Sequence, residues 1–198
     1  MFISLSNDSL DNFKLINEDY LTDKEYYDLK SGQQEYRLYS YLTTFFNNIT
    51  ILDIGTYTGR SAIALSYNET NKVISYNIVD QIGDNNHKIY SKKNITFKVK
   101  DVLEDLNEEF IKNVKIVMID IDHNGFTEKI IIDRLKELNF SGLIILDDIT
   151  KLPDPVLNER MANLWNGIHD RKYDVTKYGH WSGTGIVVMN DNTIFLML

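Results

Sequence analysis

Aspartate residues stand at the ends of five apolar segments in this 198-residue sequence. They are Asp53, Asp80, Asp101, the pair Asp120 and Asp122, and the pair Asp147 and Asp148. Carboxylates can attract cations, accept hydrogen bonds from hydroxyl and amino groups, or exchange protons. The apolar segments have the composition of buried β-strands, so the sequence predicts a row of acidic groups along one edge of a sheet.

The segment ILDIGTYTGRSAIALSY, residues 51–67, joins a predicted strand to a predicted helix through two glycines. Its turn reads Asp53-x-Gly55-x-x-x-Gly59, which lacks the middle glycine of the dinucleotide fingerprint G-x-G-x-x-G. An acid two residues before the first glycine repels phosphate and suits a cationic ligand. The alternative is a strand–turn–helix connection without a ligand, in which Thr58 caps the helix.

Predicted strands and helices alternate along the chain. Strands are predicted at residues 49–54, 72–80, 95–101, 114–122 and 142–148, and later at 173–178, 185–189 and 193–197. Helices are predicted at residues 33–46, 61–67, 103–111, 128–138 and 156–168. This alternation predicts an open doubly wound α/β sheet that ends with antiparallel strands. In such a sheet, ligands bind beyond the carboxyl ends of the strands, where the aspartates lie.

Composition narrows the classes of function. The length fits one domain of residues 1–198, in which residues 1–31 form an irregular arm or a lid. A net charge of −8 and the lack of a lysine or arginine run argue against nucleic acid as a partner. The absence of cysteine excludes disulfides, thiolate zinc sites and cysteine nucleophiles. Without a signal-peptide pattern or an apolar run of roughly 20 residues, we expect a cytoplasmic protein with no membrane partner.

The turn from Asp53 to Gly59, with acids after the two following strands, resembles motif I of the class I S-adenosylmethionine (SAM)-dependent methyltransferases. The resemblance covers about residues 32–185. It implies a Rossmann-like, mostly parallel seven-stranded sheet with an antiparallel C-terminal strand and helices on both faces. It also implies that the chain is a transferase and that SAM is its cofactor.

By the same resemblance, SAM contacts the turns that follow the first strands. The implied residues are Asp53, Gly55, Thr56, Gly59, Ser61, Asp80, Asp101, Val102 and Asp120. Asp53 would attract the ammonium group of the methionine moiety, and the glycines would let the backbone approach the ligand. Asp80 would accept hydrogen bonds from both ribose hydroxyls, and Asp101 with the backbone of Val102 would meet the adenine amino group. Gln33 and Glu35, ahead of the first strand, either close over SAM or belong to the helix cap and first turn.

The acids after the fourth and fifth strands resemble the metal site of the catechol O-methyltransferase-like group and of some metal-dependent sugar and antibiotic O-methyltransferases. Side chains alternate along a strand, so Asp120 and Asp122 share a face if the strand persists to residue 122. In this topology the two strands are neighbours about 4.8 Å apart, which brings Asp122, Asp147 and Asp148 together as metal ligands. Clustered carboxylates share protons or bind a cation, and oxygen ligands favour Mg²⁺, Ca²⁺ or Mn²⁺ over zinc.

Three residues are candidates for catalysis, namely His123, His180 and Asp122. The catechol enzymes place a lysine base two residues after their Asp-His pair, but here Asn124 and Gly125 follow the pair, so that base is absent. An unperturbed histidine has a pKa suited to proton abstraction. Either histidine can therefore act as the base, although both also fit structural hydrogen-bonding roles.

The leading hypothesis is a metal-dependent SAM O-methyltransferase that acts on a small hydroxylated acceptor. A sugar or sugar nucleotide is favoured as the acceptor, and a phenolic diol comes second. The alternatives are an aminopropyltransferase that uses decarboxylated SAM on the same fold, and a SAM-binding protein without catalysis. The identity of the acceptor and the oligomeric state, monomer or homo-oligomer, stay open.

Overall fold

Nine strands account for the extended segments of the described chain. The structure is a computed structural model that describes residues 1–82 and 84–198, without the side chains of residues 18 and 84–87. The strands are β1 (Phe2–Leu5), β2 (Thr50–Ile54), β3 (Lys72–Asn77), β4 (Ile95–Val99), β5 (Val114–Ile119), β6 (Gly142–Asp147), β7 (Arg171–Asp174), β8 (Thr184–Met189) and β9 (Ile194–Met197).

Helices connect most of these strands. The α-helices are α1 (Asn7–Asp11), α2 (Lys24–Tyr27), α3 (Tyr36–Thr43), α4 (Arg60–Leu65), α5 (Glu108–Ile111), α6 (Thr127–Glu137) and α7 (Pro155–Gly167). Short 3-10 helices cover Glu18–Tyr20, Asp84–Ser91 and Val102–Glu104. Side chains fix where the long helices begin. The Asn124 side chain accepts the backbone N–H of Thr127 at 2.9 Å at the start of α6, and Asp154 caps α7 ahead of Pro155.

The main sheet has the strand order β4-β3-β2-β5-β6-β8-β7. Strands β2, β3 and β4 run in sequence to one side, whereas β5 and β6 continue on the other side of β2. The strand order therefore reverses between β2 and β5, and the carboxyl ends of these strands border the crevice expected there. Strand β8 is antiparallel to both of its neighbours, β6 and β7, while the remaining pairs are parallel. This confirms the predicted seven-stranded, mostly parallel sheet.

Apolar side chains cover both faces of the sheet and divide the core into two clusters. On one face, Ile51 of β2 belongs to a cluster with Leu38 of α3. On the other face, the next residue, Leu52, belongs to a cluster with Ile132 of α6 and Trp165 of α7. Strands β5 and β6 are buried almost throughout, as expected for central strands covered by helices on both sides. The loops at the carboxyl edge of the sheet are thus mounted on a rigid support.

Several sequence predictions need correction. The arm of residues 1–31 is not irregular throughout, because it contains β1, α1 and α2. Strand β9 was predicted, but it pairs in parallel with β1 in a separate two-stranded sheet and does not join the main one. The predicted helix at residues 103–111 is divided into a 3-10 turn and α5.

The fourth predicted strand also ends earlier than expected. Strand β5 stops at Ile119, so neither Asp120 nor Asp122 continues the alternation of side chains along it. The premise that placed these two aspartates on one face was therefore wrong.

Among the described residues, the helices are all too short or too polar to cross a membrane.

Candidate functional site

A cavity of about 610 Å³ opens at the carboxyl edge of the sheet, where the strand order reverses. Its wall is formed by the segments that follow four adjacent strands. They contribute Gly55 and Tyr57 after β2, Asn77, Ile78, Val79 and Gln81 at the end of β3, Lys100, Asp101 and Val102 after β4, and Asp120, Ile121, Asp122 and His123 after β5. This volume lies within the roughly 300–1,000 Å³ typical of sites for small molecules and cofactors.

The two glycines of the first turn are required by the protein's own packing. Gly55 has φ +108°, and a Cβ there would lie 1.6 Å from the backbone oxygen of Asp120. Gly59 has φ +86°, and a Cβ there would lie 2.2 Å from a side-chain carbon of Ile89. The left-handed backbone and these contacts account for both glycines without a ligand. The close approach of Gly55 also holds the β2 turn directly against the end of β5.

Asp53 is buried beneath this turn and does not line the cavity. It is 1% exposed, and its Oδ2 accepts a hydrogen bond from the Ser75 hydroxyl at 2.5 Å. Ser75 in turn lies 2.6 Å from the hydroxyl of Thr56. Burial raises the pKa of Asp53 to about 6, although hydrogen bonds from Ser75 and Ser61 act in the opposite direction. Asp53, Thr56 and Ser61 thus form a buried polar network that supports the turn.

The residue predicted to bind ribose lies outside the cavity wall. Asp80 is exposed, three residues beyond the end of β3, and its Oδ1 lies 3.5 Å from the Tyr90 hydroxyl. Asn77, the last residue of β3, occupies the wall instead, and its side-chain amide donates to Gln81 at 2.8 Å. The strand was predicted to reach residue 80 because Ile78 is apolar. That side chain is 73% exposed, beside the cavity, so it does not belong to the core.

The predicted adenine contacts do line the cavity. Asp101 and Val102 follow β4 and form part of its wall. Asp101 also caps the short 3-10 helix, since its Oδ1 accepts the backbone N–H of Leu103 at 2.9 Å. This contact fixes the carboxylate at the rim of the cavity.

A cluster of carboxylates and imidazoles lies next to the cavity, at the ends of β5 and β6. Two groups of side chains have possible ligand atoms within 4.8 Å of one another, and both include Asp147. The first group is Asp120, His123 and Asp147, and the second is Glu35, Asp147 and His180. Asp120 and His123 also line the cavity, so the cavity and the cluster share a boundary.

Asp148 joins the two histidines of the cluster. His123 Nε2 lies 2.9 Å from Asp120 Oδ1 and 3.3 Å from Asp148 Oδ2. His180 Nδ1 lies 3.6 Å from the other oxygen of Asp148 and contacts the hydroxyl of Ser182. His123 and Asp148 have φ +53° and +56°, an uncommon conformation for residues other than glycine. Strained backbone of this kind costs about 1–3 kcal/mol and is frequent at functional sites.

Burial and charge set the protonation of the cluster. Burial raises the pKa of Glu35 to about 7, and burial with the nearby charges of Glu35 and Asp120 raises that of Asp147 well above its usual range. Burial also disfavours the charged form of Asp148, but hydrogen bonds from His180 and Ser182 outweigh it and lower the pKa of Asp148.

The pKa values of both histidines are raised. Burial acts against this direction, but it is outweighed by the Asp120 hydrogen bond at His123 and by the Asp148 hydrogen bond at His180. The neighbouring carboxylates thus favour the imidazolium form, which cannot accept a proton.

The predicted metal ligands are only partly brought together. Asp147 belongs to both groups, and Asp148 contacts both histidines, but Asp122 belongs to neither group. The Asp122 carboxylate is exposed and accepts a hydrogen bond from Thr127 at 3.3 Å. Because β5 ends before residue 120, Asp120 points to the cluster in its place.

Sequence reasoning left the place of Glu35 open and did not link His180 to it. Glu35 directly precedes α3, and His180 lies in the connection between β7 and β8. Both reach Asp147 at the end of β6. A glutamate that ends up 5% exposed carries no local pattern that distinguishes it from an ordinary first-turn residue.

Comparisons with known proteins were made for both sequence and structure. No protein-family model matches the sequence, and no curated protein matches it significantly. The structure resembles an O-methyltransferase from Bacillus cereus solved with S-adenosylhomocysteine, with a TM-score of 0.54, 17% identity, and 77% of this chain and 79% of that chain covered. A Staphylococcus aureus protein named as a candidate caffeoyl-CoA O-methyltransferase gives a TM-score of 0.59, 16% identity, and 78% and 82% coverage.

A third similar structure is a methyltransferase from Podospora anserina with S-adenosylhomocysteine bound. It gives a TM-score of 0.54 and 14% identity, with 87% of this chain and 84% of that chain covered. Identities this low establish a shared architecture and leave the chemistry to be argued from the site. The chain has the fold of the class I SAM-dependent methyltransferases.

Proposed function

We propose that this protein is a SAM-dependent methyltransferase that transfers a methyl group to a hydroxyl of a small acceptor. The observation that carries the proposal is the shared boundary of the two sites. Asp120 and His123 line the cavity expected to hold SAM, and with Asp147 they form a group suited to a cation. A methyl donor in the cavity and an acceptor at the cluster would therefore be adjacent, as direct transfer requires.

The chemistry of the cavity fits SAM. Ile78 and Val79 offer an apolar surface suited to an adenine ring, and Asp101 at the rim offers an acceptor for its amino group. Near the cluster the wall carries the carboxylates of Asp120 and Asp122, which attract the positive charges of a sulfonium and an ammonium. When bound, SAM would supply the methyl group. The protein would orient the methyl-donor end of SAM toward the cluster.

The cluster fits a divalent cation. The Oδ1 atom of Asp147 is buried and has no hydrogen-bond partner among the described residues, whereas Asp148 Oδ1 lies 3.6 Å from His180 Nδ1. Asp120, His123 and Asp147 would hold the cation through two carboxylates and an imidazole. The sequence indicated oxygen ligands and Mg²⁺, but an imidazole in the set favours a first-row transition ion such as Mn²⁺. When bound, the cation would hold acceptor oxygens and lower the pKa of the reacting hydroxyl.

Asp122 is the group we assign to proton removal. Its carboxylate lies in the cavity wall, two residues from Asp120, and is outside both cation groups. The carboxylate is exposed in the cavity wall, so it is open to an acceptor bound there. The two histidines are less suited to this step, because each of them belongs to one of the two cation groups.

The acceptor we favour is a sugar or sugar nucleotide, with a phenolic diol second. Trp181 supports a ring-shaped acceptor, since its side chain is 52% exposed and its ring centroid lies 5.3 Å from that of His180. An exposed aromatic face beside a cation site can pack against either kind of ring. The vicinal hydroxyls of both acceptor classes can engage one cation.

The experiment is a methyl-transfer assay with radiolabelled SAM against panels of sugars, sugar nucleotides and catechols, with and without EDTA. We expect transfer to at least one panel and its loss on chelation. Methyl transfer that persists in EDTA would refute the requirement for a divalent cation. SAM binding without transfer to any acceptor would favour a binding protein, and polyamine products from decarboxylated SAM would favour an aminopropyltransferase.

A further inference from the structure

Asp147 lies between two sets of possible ligands that come from opposite sides. On one side are Asp120 and His123, which follow β5. On the other side are Glu35, which precedes α3, and His180, which lies between β7 and β8. Each set supplies one carboxylate and one imidazole, so Asp147 completes two groups of similar composition.

The second group contains buried carboxylate oxygens without partners. Glu35 is 5% exposed, and its Oε2 has no hydrogen-bond partner among the described residues. Asp147 is 6% exposed, and its Oδ1 is likewise unpartnered within the described part of the chain. Both residues have a carboxylate oxygen within 4.8 Å of a ring nitrogen of His180, so the two carboxylates lie in the same small space. Buried carboxylates in this situation are paired or coordinate metals.

The first cation site does not account for Glu35. A single ion held by Asp120, His123 and Asp147 leaves the Glu35 carboxylate out of its group. His180 balances the charge of the Glu35 carboxylate only in part, because its Nδ1 already contacts Asp148 and Ser182. A second positive charge beside Glu35 would satisfy the remaining oxygens.

We propose that Asp147 bridges two divalent cations, the first held with Asp120 and His123 and the second held with Glu35 and His180. A carboxylate has two oxygens and four lone-pair directions, which allows it to serve two ions at once. Two-metal sites with ions about 3.5–4 Å apart are known to clamp two oxygens of one substrate. The pair would bind the two oxygens of a vicinal diol. This inference rests on the proposed function only through the first cation.

The competing explanation is a carboxyl–carboxylate pair in which Glu35 and Asp147 share a proton without a second ion. The two explanations differ in the number of ions that the folded protein binds. They also differ in the effect of Glu35→Gln, which preserves a hydrogen-bonding pair but removes an anionic ligand. The number of bound ions is therefore the deciding measurement.

The probe is Mn²⁺, a first-row transition ion suited to the carboxylates of the set. Metal-free protein is dialysed against Mn²⁺, and the bound metal is counted by elemental analysis. We expect two ions per chain in the wild type, with the spin-coupled electron paramagnetic resonance signal of a close pair. Glu35→Gln and His180→Asn should each bind one ion and lose the coupled signal. The matched control is Glu159→Gln at an exposed carboxylate, which should bind two ions.

Circular dichroism and thermal denaturation establish that each variant is folded before its metal is counted. One ion in the wild type, unchanged by Glu35→Gln, would overturn the second site in favour of the shared proton. No bound ion would overturn both cation sites. Two ions without methyl transfer would refute the proposed function and leave this inference standing, whereas one ion with methyl transfer would do the reverse.

Discussion

Replacement of Gly55 by alanine tests how the turn after β2 is held against the end of β5. A Cβ at residue 55 would lie 1.6 Å from the backbone oxygen of Asp120, at a φ of +108° that side-chain-bearing residues rarely adopt. The obstacle is backbone, so it cannot rotate away. The two segments must separate by about 1.4 Å to reach a tolerable contact of 3.0 Å.

The expected loss of stability follows from two costs. The unfavourable backbone conformation costs roughly 1–2 kcal/mol, and forcing extra volume into a packed site costs about 1–3 kcal/mol more. For a chain of about 200 residues, each kcal/mol lowers the melting temperature by roughly 2–4 °C. We therefore expect Gly55→Ala to lower the melting temperature by roughly 10 °C, measured by circular dichroism.

Activity should suffer independently of unfolding. Asp120 belongs to both the cavity wall and the first cation group, so a shift of its backbone by more than 1 Å displaces both. Misplacement on this scale can reduce a rate about 100-fold, which we expect for methyl transfer measured well below the melting temperature.

The control is Gly167→Ala at the last residue of α7, where a new Cβ would meet no atom within 4 Å. That change should leave stability equal or raise it by up to about 1 kcal/mol, because alanine favours the helix. A Gly55→Ala variant that melts within about 2 °C of the wild type with full activity would refute the packing argument.

Three further predictions concern the cluster and its surroundings. Asp122→Asn should lower kcat for methyl transfer by roughly 100-fold or more while Mn²⁺ binding is retained, and equal loss of both would show that Asp122 is a metal ligand instead. Burial raises the pKa of Glu35 from 4.5 to about 7, so between these pH values only the unfolded state releases this proton. The free energy of unfolding of the metal-free protein should therefore fall by roughly 3 kcal/mol as the pH rises from 4.5 to 7. Urea denaturation across this range should show a smaller fall for Glu35→Gln, and an identical slope would contradict the assignment. Asp23→Ala removes the ion-pair partner of Arg60, whose guanidinium also stacks on Tyr26 at 4.4 Å. The change should lower the stability by about 1–3 kcal/mol in thermal denaturation, and an unchanged stability would show that the contact is only a surface pair.

The sheet could be predicted because its strands carry strong local signals. Residues 114–119 and 142–147 are apolar on both faces, and such runs between helical patterns indicate central parallel strands. The acids at or just after the ends of β4, β5 and β6, namely Asp101, Asp120 and Asp147, were likewise visible in the sequence. The predictions failed at boundaries, where the same residue types serve a different purpose. Ile78 extends an apolar run but lies exposed beside the cavity, so β3 was predicted three residues too long.

The membership of the cluster could not be read from the sequence, because it depends on contacts between distant segments. Glu35 and Asp147 are 112 positions apart, and no periodicity links them. The choice between Asp120 and Asp122 depended on whether the strand continued for two more residues. It ends at Ile119, and His123 takes a left-handed conformation that turns its ring back to Asp120. Because of this one strand boundary, Asp120, expected to contact the cofactor, belongs to a possible cation group, and Asp122, expected to bind the metal, does not.

The position of Asp120 explains why the turn and the cluster belong to one site. Its backbone oxygen packs against Gly55, its carboxylate contacts His123, and its side chain faces the cavity. A change in the turn that carries the glycines is thus transmitted through a single residue to the cation group, with no flexible segment between them. Close-packed contacts of this kind transmit a displacement and do not absorb it. Cofactor binding in the cavity should therefore alter the affinity of the cluster for Mn²⁺. By linkage, Mn²⁺ must then alter SAM affinity by the same factor, and equal SAM affinities with and without Mn²⁺ would show that the shared residue does not couple the two sites.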